Sequence, residues 1–267
     1  MNEFSKHEIE QLVNEFGEVS FNKFNTIINN IKNGYLVDIG VYEGASSKMM
    51  IKNAIALNNI IYAIDPIPFF SSDNPNYNFI KDDSVLIGKN WNKGEVDLVF
   101  FDSVHAKEQV LCELYYWWNK IKVGGFAIFH DTSWEGYIHK NGHSCAGKLT
   151  GNTGKGYDSF GGINWETPDK AIEEFFGIRI NTLDRDINKS EFKTNHHDEF
   201  IEVQTNYADL GMTIIYKKSN FDYRENIKNW ENVFNKRNIL LTFFKTNESI
   251  FKKIENKVKS YFSKFNL

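Results

Sequence analysis

Cysteine is nearly absent. The 267 residues hold two, Cys112 and Cys145, too few for a disulfide framework, so a reducing cytoplasm is the expected setting. A basic excess is missing too. Lys and Arg number 31 against 35 Asp and Glu, for a net charge of −4, which offers no electrostatic footprint for nucleic acid. No apolar run approaches ~20 residues, so no transmembrane segment is expected. The polar stretch from Met1 to Ile9 does not read as a signal peptide. No internal repeat is apparent. The length fits one large domain, or a domain with appended elements, and suffices for a substantial core.

What is present is a strand-then-helix rhythm. Residues 3 to 33 read as two helices: Phe4, Ile9, Leu12, Val13 and Phe16 recur at helical spacing, Gly17 interrupts, and Phe24, Ile27, Ile28 and Ile31 resume the stripe. The spacing predicts a cap packed on the core, with substrate gating or a homo-oligomer contact as the other uses. Tyr35 to Ile39 then reads as a strand and Ala45 to Leu57 as its helix. Asn59 to Ile64 reads as a strand ended by the turn at Asp65-Pro66. Asn78 to Lys81, Val96 to Phe101 and Phe126 to Phe129 complete the set, with a helix from Lys107 to Ile121 stopped by Gly124-Gly125. Thr167-Pro168 starts a helix that Gly177 ends. Arg179 to Leu183 and Gly211 to Lys217 read as final strands, while residues 188 to 206 are too polar to place. This rhythm predicts an α/β protein with a mostly parallel sheet and helices on both faces.

The strand ends carry the chemistry. Leu36-Val37-Asp38-Ile39-Gly40 runs on to Gly44, two glycines at which backbone can turn and approach a ligand without Cβ obstruction. Asp65 closes the second strand, where an acid can accept hydrogen bonds from both ribose hydroxyls. Asp83-Ser84 follows the third, at the adenine side or as a plain turn. A full G-x-G-x-x-G is missing, so no second close-approach glycine serves a pyrophosphate. A cofactor without phosphate, S-adenosylmethionine (SAM), fits better. Val99 to Phe101 runs into Asp102-Ser103-Val104-His105, and Phe126 to Phe129 into His130-Asp131.

These segments, with Trp117 and Gly124-Gly125 between them, resemble class I SAM-dependent methyltransferases over roughly residues 35 to 217. The closest subgroup is the metal-dependent one that contains macrolide-sugar O-methyltransferases and cephalosporin-hydroxylase-like proteins. The resemblance implies a Rossmann-like, seven-stranded sheet. It implies that Asp102 binds a divalent metal, that His105 is the general base, and that His130-Asp131 supplies further ligands. Family members often carry a carboxylate where His130 stands, which makes Asp131 the firmer ligand. Neighbouring strands lie about 4.8 Å apart, so Asp102 and Asp131 can share one cation. Oxygen ligands favour Mg²⁺, and an imidazole shifts the preference toward Mn²⁺ or Fe²⁺.

Rival readings stand beside these. His105 could cap the following helix, and His130 could be a core histidine. Residues 133 to 165 read as an active-site lid in which Trp134, Tyr137, Tyr157 and Trp165 interleave with polar groups, suited to a small polar substrate such as a sugar; the rival is a segment without function. His139 and His143 lack a partner motif, and His196-His197 reads as surface. The domain reading is a helical cap over 1–34, a methyltransferase domain over 35–218 and a helical extension over 219–267, whose basic, apolar-striped end packs on the core, on a second subunit or on a membrane surface. An oxidoreductase or hydroxylase on the same sheet, or a non-catalytic scaffold, are the alternatives in function.

Overall fold

The computed structural model describes residues 4–132, 158–160, 163–180, 191–207 and 211–246. It opens with helices α1 (Lys6–Phe16) and α2 (Glu18–Asn30), parted by Gly17 as the broken stripe predicts. Ser5 and Glu8 form a reciprocal capping box that satisfies orphan N–H groups at the start of α1. The chain then alternates through β1 (Tyr35–Ile39), α3 (Ala45–Lys52), β2 (Ile60–Ile64), β3 (Tyr77–Ile80), α4 (Ser84–Asn90), β4 (Val96–Phe101), α5 (Lys107–Trp117) and β5 (Ile121–His130). A short hairpin of β6 (Asp158–Phe160) and β7 (Ile163–Trp165) precedes α6 (Pro168–Phe176), after which come β8 (Lys193–His197), β9 (Ile201–Asn206), β10 (Met212–Lys217) and α7 (Trp230–Thr246).

The main sheet runs β3-β2-β1-β4-β5-β10-β9-β8. The first five strands pair in parallel, and β10, β9 and β8 join antiparallel. β4 is buried along its whole length: Leu98 and Phe100 face one core while Val99 and Phe101 face the other. The first core carries α1, α2 and α3, with the Phe24 ring stacked on Phe100 at 4.8 Å. The second carries α4, α5, α6 and α7, centred on Trp117, Trp118 and Phe175. Both faces of the sheet are thus covered, as parallel strands require.

The Rossmann-like α/β class stands, with eight strands in the main sheet where seven were expected. The additional pairing lies in the polar stretch that resisted placement. β8 reads Lys-Thr-Asn-His-His because it is a solvated edge, and β9 buries Ile201, Val203, Thr205 and Asn206 while Glu202 and Gln204 are partly exposed. β5 is longer than expected. Gly124 adopts φ 85°, and the β4–β5 register shifts between Val96 and Leu98, so the glycines mark a bulge inside the strand rather than a helix stop. α5 ends at Trp117 in a 3₁₀ turn, and α3 ends at Lys52, short of Leu57. Residues 178–180 form no strand, and 181–183 lie outside the described residues. So do most of the expected lid, apart from the β6–β7 hairpin, and the apolar stripe beyond residue 246. Among the described residues, no helix is long and apolar enough to cross a membrane.

Candidate active site

Register assembles the site. Ile39 pairs with Phe101, and Phe101 with Phe129. One step further on, Gly40, Asp102 and His130 stand side by side at the carboxyl edge of the sheet. This is the topological switch point: the chain leaves β1 toward β2 on one side and returns as β4 on the other, which opens a crevice.

Asp102, His105 and Asp131 bring one ligand atom each within 4.8 Å of one another. Nε2 of His105 lies 2.9 Å from Oδ2 of Asp131 and 3.2 Å from Oδ1 of Asp102. Nδ1 of His130 lies 3.3 Å from each carboxylate. His105 does not cap α5: the N-cap is Ala106, with no side-chain cap bond. His130 is 4% exposed and sits under the Phe16 ring at 5.2 Å, so its core packing and its closeness to the acids coexist. Burial opposes ionisation of Asp102, but the charge and hydrogen bonds of His130 and His105 outweigh it and hold the carboxyl well below the usual carboxylate range. Burial would also depress His130, yet Asp131 and Asp102 raise it to about 9. Two carboxylates are therefore balanced here by imidazolium charge.

Oδ1 of Asp131, a residue 3% exposed, faces Nδ1 of His130 at 3.3 Å as an ion pair but receives no hydrogen bond. A buried carboxylate oxygen that lacks a hydrogen bond is only partly satisfied by such an ion pair, and a cation between Asp102 and Asp131 would complete it. The two carboxylates suit Mg²⁺, and the nitrogen of His105 among them shifts the preference toward Mn²⁺ or Fe²⁺. Asp131 also sits at φ 56°, and Tyr42 at φ 43°. The other described non-glycine residues with positive φ are asparagines, Asn33, Asn58 and Asn229, which tolerate that region well. Aspartate tolerates the region as well, so of these residues Tyr42 is the one that bears strain.

The loop between β1 and α3 is tightly held. Asp38 is fully buried and accepts hydrogen bonds from Ser46 at 2.8 Å and Ser47 at 2.5 Å, which clamps β1 to α3. Burial pushes its carboxyl up to about 7 against those two donors. Asp65 accepts from the N–H groups of Tyr42 at 3.1 Å and Ile67 at 2.8 Å, which ties the loop to the end of β2; burial raises its carboxyl, while the backbone donors pull it down. At Gly44 (φ 81°), a Cβ would lie 2.3 Å from the ring of Phe70. Asp83 caps α4 through the N–H groups of Val85 and Leu86 and pairs with Arg237 of α7. Ser84 donates to Glu113 at 2.6 Å. These two pack α4 against α5 rather than contributing to the carboxylate cluster itself.

Five contributors escaped the sequence reading. Ser46 and Ser47 complete the Asp38 clamp, and their place two and three residues past Gly44 was the available signal. Phe16 roofs His130. Glu15, beside it, has its carboxyl raised by burial and feels the charges of His130, Asp102 and Asp131. Nothing in the spacing of α1 tells a roof from a distant cap. Arg237 lies 128 residues from its partner Gln109 in a polar helix, with no local pattern to mark it.

Residues 37–132 match the family described as "Methyltransferase domain". That match covers 96 of the 267 residues, and together with the sheet it likens this segment to methyltransferase domains. No curated protein matches the sequence. Among solved structures it is similar to MycE methyltransferase from the mycinamycin biosynthetic pathway, in complex with Mg, SAH and mycinamycin VI (15% identity, 84% of this chain and 56% of that one, TM-score 0.46). It is also similar to SAH-bound methyltransferase PaMTH1 of Podospora anserina (15%, 80% and 87%, TM-score 0.47) and to cofactor-bound Rv0187 from MTB (9%, 81% and 92%, TM-score 0.49). The chain thus spans 56% of the length of MycE. Similarity this low concerns the fold alone.

Proposed function

We propose that the protein transfers the methyl group of SAM to an oxygen of a small polar metabolite, with a divalent cation (Mg²⁺, Mn²⁺ or Fe²⁺) at its two strand-end carboxylates. The acceptor in this reading is a sugar, a sugar nucleotide or a phosphoramidate, of the kind built into surface polysaccharides or secondary metabolites. The observation that carries the proposal is the convergence of Asp102, His105 and Asp131 within 4.8 Å at the switch point, with Oδ1 of Asp131 receiving no hydrogen bond. Asp102 and Asp131 would hold the ion, with His130 behind them. When bound, such an ion lowers the pKa of a hydroxyl in contact with it. Nε2 of His105 would take that proton, since its side chain is 26% exposed and can be reached from the crevice, whereas that of His130 is 4% exposed.

On the cofactor side, Asp65 would accept from the ribose hydroxyls. Gly40 and Gly44 would let the amino-acid end approach the backbone. Asp38 would act by holding that loop from beneath, and Asp83 with Ser84 by fixing α4 on the adenine side. A Mn²⁺ titration followed by electron paramagnetic resonance tests the assignment. Asp102→Asn and Asp131→Asn should lose the bound-ion signal, because an amide carries no charge. His105→Ala should keep the signal while methyl transfer falls by about 10²–10⁴. Undiminished Mn²⁺ binding in both carboxylate variants would remove the metal from the account. Loss of binding in His105→Ala would make that residue a ligand rather than the base.

A further inference from the structure

Glu113 is an ionisable side chain without access to solvent, and the proposed chemistry does not use it. It lies on α5, a helix buried along most of its length, where a polar group must find its partners in neighbouring elements. Oε1 of Glu113 accepts from the hydroxyl of Ser84 at 2.6 Å and from the amide of Gln109, one turn earlier, at 2.8 Å. Gln109 in turn accepts from Nε of Arg237 at 2.9 Å. Ser84 is held a second time, since Nε1 of Trp117 donates to its carbonyl at 2.9 Å.

A third group bears on the same carboxyl. Burial pushes the Glu113 carboxyl up, and Ser84, Gln109 and the hydroxyl of Ser103 act against it. Oγ of Ser103 and Oε2 of Glu113 are both buried, and neither completes a hydrogen bond. The two groups therefore meet in contact, short of full hydrogen-bond geometry. Ser103 directly follows Asp102, whose N–H donates to Ile39 of β1 at 2.9 Å. β1 thus holds this loop on one side and Glu113 supports it on the other. Ser84, the first residue of α4, belongs to the proposed adenine side.

We propose that Glu113 is a positioning residue for both halves of the crevice, setting the metal loop through Ser103 and the start of α4 through Ser84. The inference rests on the proposed SAM- and metal-dependent reading and adds to it side chains that need touch neither ligand. A group behind a metal ligand acts by fixing its aim, and its loss costs about 10–100-fold in metal affinity. Because the two contacts diverge from one carboxyl, they can be removed separately.

Calorimetry with SAM and electron paramagnetic resonance titration with Mn²⁺, both on the full chain, test this. Ser103→Ala should weaken Mn²⁺ binding about tenfold and leave SAM affinity unchanged. Ser84→Ala should do the reverse, with SAM affinity down about three- to tenfold, the worth of one hydrogen bond. Glu113→Leu should lower both. Glu113→Gln should return both close to wild type, because an amide keeps an oxygen for Ser84 and Gln109 and offers a donor to Ser103. A merely structural role would move the two affinities together and would give neither this split nor this rescue. If Glu113→Leu fails to fold, the serine variants and Glu113→Gln decide. Wild-type Mn²⁺ affinity in Ser103→Ala, an equal loss of SAM affinity in that variant, or Glu113→Gln weakened by tenfold or more overturns the proposal while methyl transfer stands. A folded wild type that binds neither SAM nor Mn²⁺ overturns both.

Discussion

The backbone oxygen of Asp102 lies 2.1 Å from where a Cβ on Gly40 would stand. The two residues are level across β1 and β4, and the N–H of Asp102 donates to Ile39 at 2.9 Å. Gly40, at φ 84°, is therefore demanded by the neighbouring strand as well as suited to a ligand.

Gly40→Ala should combine left-handed strain with a backbone clash, at about 3 kcal/mol or more. The clash pushes on the Asp102 loop, so the melting temperature and metal affinity should fall together. Calorimetric melting with and without Mn²⁺ checks this. A variant with wild-type stability would contradict the close approach.

Asp38 predicts a pH dependence. In the unfolded chain its carboxyl titrates near 3.9, whereas burial in the native state lifts it to about 7. Between these values the unfolded chain loses the proton first, so this group lowers native stability as pH rises, by at most about 1.4 kcal/mol per pH unit. Its contribution is fully present below about pH 4 and gone above about pH 7. Urea unfolding over this window should show Asp38→Asn gaining on the wild type as pH increases. Parallel curves for the two proteins would contradict a buried, raised carboxyl.

Arg237, 2% exposed, bonds to Gln109 at 2.9 Å and to Asp83. Through them it holds α7 against α4 and α5. Arg237→Met leaves Asp83 without its partner and should destabilise by about 3–5 kcal/mol, toward the lower end because the Asp83 side chain keeps 20% exposure. Chemical denaturation measures this directly. A loss below about 1 kcal/mol, the worth of a surface ion pair, would mean α7 is not anchored there.

Legibility followed local chemistry. β4 was readable because a strand buried on both faces has no polar alternation, and its Asp102 end because the acid interrupts that run. The start of α6 was readable because Thr167 and Pro168 belong to one turn. Gly124 was misread because the same φ serves a helix stop and a strand bulge, and only the register with β4 separates them. β8 was missed because an edge strand made of Lys, Thr, Asn and His resembles a loop. The gathering of Asp102, His105, His130 and Asp131 could be anticipated from neighbouring strand ends. The roof supplied by Phe16 and the Arg237 anchor could not, since long-range packing leaves no trace in spacing.

The central claim is that the crevice at Gly40, Gly44 and Asp65 holds SAM, and isothermal titration of the full chain with SAM tests it most directly. One molecule should bind per chain. Asp65→Ala should weaken it at least about tenfold, the worth of hydrogen bonds to a charged acceptor at about 1.5–3 kcal/mol. Asp102→Asn should leave the affinity near that of the wild type. No heat of SAM binding to the folded wild type, or an affinity unaltered by Asp65→Ala, would contradict the account.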